Sequence, residues 1–136
     1  MPLTRYLEAG IAVGLGSDVA GGPDLSIFGA MRFGGYVQNA LRVADGDTRP
    51  ILDSLGWLRQ ATYEAARCLG LEDEIGSIEA GKDADLILLD PSLAEPPAAP
   101  ELDDPGDILS TLIFRSHPAM VRGAWVRGRR LEGPPG

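Results

Sequence analysis

The chain carries one cysteine and one histidine in 136 residues, and each scarcity excludes something. A lone cysteine, Cys68, cannot build an internal disulfide framework and fits a reducing, cytoplasmic compartment. Cys68 lies on an apolar helical pattern, where a free thiol is expected to pack as a small buried hydrophobe. With His117 as the single histidine, a zinc site with several imidazole ligands cannot be assembled from these residues alone. Positive charge is scarce too: twelve Lys and Arg stand against twenty Asp and Glu, a net charge of −8. Nucleic acid or an anionic membrane surface would need a basic stripe, so neither is an expected partner. No apolar run approaches the ~18 residues of a membrane-crossing helix. The opening residues, Met1 to Glu8, lack the shape of a signal peptide, so no export signal is expected.

What is present is a globular composition, 44% apolar, long enough for one ordinary domain. Its most informative stretch is Ile11-Ala-Val-Gly-Leu-Gly-Ser-Asp-Val-Ala-Gly-Gly22. The apolar run Ile11 to Leu15 predicts a parallel strand buried on both faces. Small residues follow, Gly16, Ser17, Gly21 and Gly22, with the carboxylate of Asp18 just past the strand's end. In parallel α/β folds the reacting groups gather at the carboxyl ends of strands, and glycines there let backbone and ligand approach closely. Asp18 is therefore the candidate catalytic residue. The same pattern also fits a plain turn residue or a helix N-cap. A dinucleotide fingerprint fails, because Val19 stands where the third glycine belongs. A phosphate loop fails as well, because Gly81-Lys82 is followed by Asp83.

Around this stretch the chain reads in order. Residues 2 to 9 form the tail of a helix, with Leu3 and Leu7 four apart and Gly10 as its C-cap. A helix feeding a strand is the second half of a βαβ repeat, so the chain opens in mid-repeat. Ser26 caps a second helix of about eighteen residues, with Ile27, Met31, Gly34, Val37 and Leu41 on one face. Gly34-Gly35 weakens it by about 1 kcal/mol each and allows close packing or a kink. A third helix runs from about Ser54 to Leu69, capped by Asp53 or Ser54 and ended by Gly70. Its expected buried stripe is Leu55, Leu58, Ala61 or Thr62, Ala65 and Leu69, with Trp57 and Tyr63 as packing residues. Glu72 to Gly81 is acidic and turn-rich. Asp85 to Asp90 reads as a short, well-buried strand. Pro91 to Gly106 is a proline-rich loop, and Asp107 caps a short helix through Phe114. Met120 to Leu131 reads as a hairpin with Gly128 near the turn. Its arginines, 122, 127, 129 and 130, fit a solvated strand face better than an anion site. Neither the part before residue 70 nor the strand-rich part after it reads as complete, since two or three short strands make a marginal core.

Taken together, three segments resemble the C-terminal third of the amidohydrolase superfamily. Val13-Gly-Leu-Gly-Ser-Asp18 is similar to the last strand of that family's (β/α)8 barrel with its terminal aspartate. Ala61-Thr62, Ala65-Ala66 and Leu69-Gly-Leu71 resemble the helix before the chain leaves the barrel. Ile75 to Leu86, with Gly81-Lys-Asp-Ala-Asp-Leu86, resembles the return to a small β-sandwich, and Val121 to Leu131 its closing strands. The resemblance implies an α/β fold: residues 1–70 as the last βα portion of a metal-dependent hydrolase barrel, and residues 71–136 as the C-terminal strands of a composite sandwich. Asp18-Val-Ala-Gly-Gly22 followed by Leu25-Ser26 most resembles the guanine deaminases, which hydrolyse guanine to xanthine and ammonia with one bound zinc. It implies that Asp18 is a zinc ligand that shares in proton transfer, that His117 has no catalytic part, and that the enzyme is a homodimer acting on a small purine. The family's His-x-His pair, further histidines and a carboxylate acid-base group are expected upstream, so these 136 residues alone are not expected to deaminate guanine. Two other readings stand beside it: an amidohydrolase acting on a chlorotriazine, cytosine or an oxidised purine, and a scaffold that kept the fold without zinc.

Overall fold

Helix α1 (Leu3–Glu8) opens the computed structural model, which describes residues 1–19, 21–22, 25–46, 48–94 and 104–132. Then follow α2 (Ile27–Asp45), α3 (Ser54–Ala61), α4 (Tyr63–Leu69), β1 (Leu86–Leu89), α5 (Pro105–Phe114), β2 (Val121–Val126) and β3 (Arg129–Arg130). One-turn helices at Pro91–Leu93 and Pro118–Met120 lead out of β1 and into β2.

The helix ends follow the capping residues. Gly10 leaves α1 with φ +71, the left-handed exit expected of it. Ser26 caps α2, its hydroxyl accepting from the Gly29 amide at 3.4 Å, and Gly46 closes that helix at φ +63. The inward face of α2 is the expected one, and Gly34-Gly35 serves close packing without breaking the helix. Asp53 caps α3 through the Gly56 amide at 2.7 Å.

The expected single helix from Ser54 to Leu69 is two. Thr62 leaves helical geometry (φ −125, ψ −92), and its hydroxyl donates to the Leu58 carbonyl at 2.8 Å. A side chain that bonds back to the preceding turn competes with the helix ladder. The break resets the phase, so Trp57, Gln60 and Ala66 are buried, while Leu55 and Leu69 of the expected stripe are exposed. Cys68 is exposed rather than buried, for the same reason.

Two apolar clusters organise the molecule. Leu3, Met31, Trp57 and Ile113 form the first, and Ala94, Leu112 and Met120 the second. Adjacent residues of α5 serve both, Ile113 in one and Leu112 in the other. Asp104, not Asp107, caps α5, accepting from the amides of Gly106 (2.7 Å) and Asp107 (3.2 Å). Pro105 occupies its first turn, where a missing N–H costs nothing. Most of the expected proline-rich loop, residues 95–103, lies outside the described residues.

The sheet is antiparallel, ordered β1-β2-β3, with Leu86 opposite Trp125 and a bulge between Leu88 and Leu89. Ile87 and Leu88 are about half exposed, so β1 is not the well-buried strand expected. The described sheet has three strands, and an antiparallel sheet of this size leaves one face open. The β2–β3 hairpin turns on Arg127 and Gly128, both at positive φ (49 and 73), as a two-residue primed turn needs. Before β1, the turn-rich segment is held by Lys82. Its Nζ donates to the Glu72 carbonyl and to Ser77 Oγ (both 2.6 Å), pairs with Glu79 at 3.2 Å and lies 5.6 Å from the centre of the Tyr63 ring.

The expected strand Ile11–Leu15 is extended but forms no ladder with any described strand. A strand is defined by its neighbour, and here the single backbone tie is the Leu15 amide to the Gln60 carbonyl at 2.9 Å. Ile11 is 48% exposed, so the run is not buried on both faces. No described helix is long and apolar enough to cross a membrane.

Candidate functional site

Asp18 stands where the extended run ends, at φ +51. Left-handed geometry costs most residues roughly 1–2 kcal/mol, and Asp and Asn tolerate it best. From there the chain turns back, the Gly21 amide donating to the Asp18 carbonyl at 2.9 Å. The turn depends on its glycines. A Cβ on Gly21 would stand 2.7 Å from Asp18 Oδ2, and one on Gly22 would collide with the Ser17 carbonyl oxygen. The carboxylate therefore lies over bare backbone. It is exposed and makes no hydrogen bond or ion pair with a described residue. Both readings of this position meet here: Asp18 is a turn residue, and its side chain is left over for a ligand. It does not cap α2, since Ser26 does that.

His117 does a local job. Its Nδ1 accepts the Ala119 amide at 3.2 Å and caps the turn Pro118–Met120. It borders a cleft of about 510 Å³ together with Ser26, Phe28, Arg32, Ser116 and Met120. No described group of three or more His, Cys, Asp and Glu side chains is arranged to hold a metal ion.

The remaining charges are accounted for by structure. Arg59 holds the Glu64 carboxyl below its ordinary 4.5, against a smaller opposing push from burial, and Arg67 adds to the lowering. The Ser92 hydroxyl and amide hold Asp90 below 3.8, and Arg122 contributes a further attraction. On the hairpin, Arg127 Nε pairs with Asp83 at 3.3 Å and its amide donates to Asp85 Oδ1 at 2.6 Å. The Arg130 guanidinium lies 5.7 Å from the Trp125 ring centre. These arginines thus lie on a solvated strand face, as the sequence suggests.

Sequence reasoning passed over Gln60. It is 6% exposed, and its Oε1 has no hydrogen-bond partner among the described residues. Its place in an apolar helical segment between Arg59 and Ala61 gives no signal of this.

The amidohydrolase family profile matches residues 1–131. The chain is 33% identical over 132 residues to a probable guanine deaminase of Schizosaccharomyces pombe, covering 95% of this chain and 25% of that protein. It is 38% identical over 130 residues to a 5-methylthioadenosine/S-adenosylhomocysteine deaminase of Symbiobacterium thermophilum, covering 94% and 28%. Among solved structures, an adenosine deaminase from Xanthomonas campestris with bound zinc superimposes with a TM-score of 0.76 at 34% identity, over 95% of this chain and 27% of that one. The chain thus spans about a quarter of the length of the curated relatives it matches.

Proposed function

Because the chain belongs to the amidohydrolase family, we propose that it is the C-terminal part of a guanine deaminase, hydrolysing guanine to xanthine and ammonia. In this reading residues 1–70 close a (β/α)8 barrel and residues 71–136 complete a small sandwich, with α5 bridging the two through Ile113 and Leu112. The observation that carries it is Asp18: a carboxylate at the end of an extended run, in left-handed geometry over Gly21, with no protein partner.

A carboxylate oxygen suits zinc, so Asp18 fits one coordination position, and the described residues supply no others. Bound zinc would contribute Lewis-acid polarisation and a water with a pKa of about 7. The chain's own part follows from its residues. One Asp18 oxygen holds the metal while the other takes the proton of the attacking water and delivers it to the leaving nitrogen. Gly21 and Gly22, lacking side chains, keep the space beside the carboxylate open to a flat ring. We further propose a reducing cytoplasm as the compartment, from the single cysteine, and a homodimer, from the family resemblance.

A second reading is favoured by the 38% identity to the Symbiobacterium protein: deamination of 5-methylthioadenosine or S-adenosylhomocysteine. The test is ammonia release by the complete polypeptide, offered guanine and those two nucleosides in turn. Guanine as the substrate with the highest kcat/KM supports the first reading. Preference for a nucleoside moves the assignment to the second, and no ammonia from any of them overturns both.

A further inference from the structure

We propose that the groove beside Ile11–Leu15 seats a further strand, parallel to this run and supplied by polypeptide preceding Met1 in a longer chain, and that Gln60 Oε1 accepts a hydrogen bond from it. The inference rests on the reading of this chain as part of a larger amidohydrolase.

Three observations converge on the groove. It measures about 180 Å³ and is lined by Met1, Leu3, Val13, Leu15, Trp57 and Gln60. It is apolar apart from two glutamine amides. That of Gln38 is satisfied at both ends, accepting from the Leu3 amide at 3.1 Å and donating to the Met1 carbonyl at 3.0 Å. That of Gln60 is not, and a buried acceptor without a donor costs roughly 1–3 kcal/mol. The groove calls for an apolar occupant that brings a donor.

The second observation is the backbone alongside. Of the amides from Ala12 to Ser17, only that of Leu15 is bonded to a described residue. An extended run with open backbone groups is a template for another strand. The third is the direction of the chain. Helix α1 leading into this run is the second half of a βαβ unit, and its right-handed crossover sets the preceding strand parallel and adjacent. Met1 and Leu3 line the groove, so polypeptide entering α1 arrives there. Backbone N–H groups of such a strand provide the donor that Gln60 lacks.

The test combines the 136-residue chain with a defined probe: the part of the Symbiobacterium thermophilum deaminase that precedes its matching segment. Amide hydrogen exchange is followed across residues 11–17 with and without the probe, for the native chain and for Gln60→Leu. Addition of the probe is expected to slow exchange there by about tenfold or more. Gln60→Leu is expected to stabilise the free chain, by removing an unsatisfied acceptor, yet to weaken probe binding by about tenfold. A purely structural role would not move the two in opposite directions. Arg129→Ala, on the far hairpin, changes neither. Unchanged exchange with the probe overturns the proposal, as does binding indifferent to Gln60→Leu. Protection that appears on concentrating the chain alone overturns it in favour of a second copy. The reading on which it rests is scored separately, by zinc retention and ammonia release in the complete polypeptide, so either can fail without the other.

Discussion

The indole of Trp57 lies against the backbone of Gly34 so closely that a Cβ placed there would stand 2.6 Å from its Cη2. This contact brings α3 onto α2 and buries Trp57 to 4% exposure. One residue on, a Cβ at Gly35 would meet Trp57 Nε1 at 3.7 Å and Phe114 Cζ at 3.8 Å, ordinary contact distances. Gly34→Ala is therefore expected to destabilise by about 1–3 kcal/mol through overpacking, although alanine favours the helix. Gly35→Ala is expected to be neutral or to stabilise by up to about 1 kcal/mol. Urea midpoints of the two variants give the comparison, and equal loss at both would contradict this packing.

Lys82 is the clasp of the turn-rich segment, with its side chain only 11% exposed. Lys82→Met keeps the stem and removes the donors, leaving the Glu72 carbonyl and Ser77 without their partner. The expected cost is about 1–3 kcal/mol, felt locally. Faster hydrogen exchange at the Asp83 amide, bonded to the Glu74 carbonyl at 2.9 Å, would register it.

Acid should loosen α3 from α4 through Glu64. Arg59 first and Arg67 second hold its carboxyl below 4.5 in the folded chain, with burial opposing them. A carboxylate lowered by folding binds fewer protons than its unfolded counterpart. Its contribution is present above the unfolded value and is lost as pH falls through the folded one. Between pH 7 and 5 this pair contributes no slope, and below about 4.5 stability falls. Glu64→Gln should flatten that part of the curve. An unchanged acid limb in the variant would assign the loss to other carboxylates.

Much of this was legible before the fold was known, because capping is local chemistry. Ser26, Asp53, Gly10 and Gly70 mark helix ends in both sequence and structure. The stripe on the third helix was misread because one dihedral break at Thr62 rotates everything after it, and sequence periodicity assumes an unbroken helix. The exposure of Cys68 and Leu69 follows from that break. Ile11–Leu15 has strand composition but no ladder, since pairing depends on residues distant in the chain. Asp18 was visible as the polar end of an apolar run. Its left-handed turn over Gly21, and the orphan oxygen of Gln60, required coordinates.

The central claim is that Asp18 holds zinc and carries a proton. The most direct measurement is the zinc content and ammonia release of the complete polypeptide, native and with Asp18→Asn. Asparagine keeps the turn geometry and removes the charge and the proton acceptor. The account predicts that the variant loses most of its zinc and that kcat/KM falls by a factor on the order of a hundred or more, with the fold unchanged by circular dichroism. A folded variant that keeps its metal and its rate would contradict the assignment and leave Asp18 as a turn residue alone.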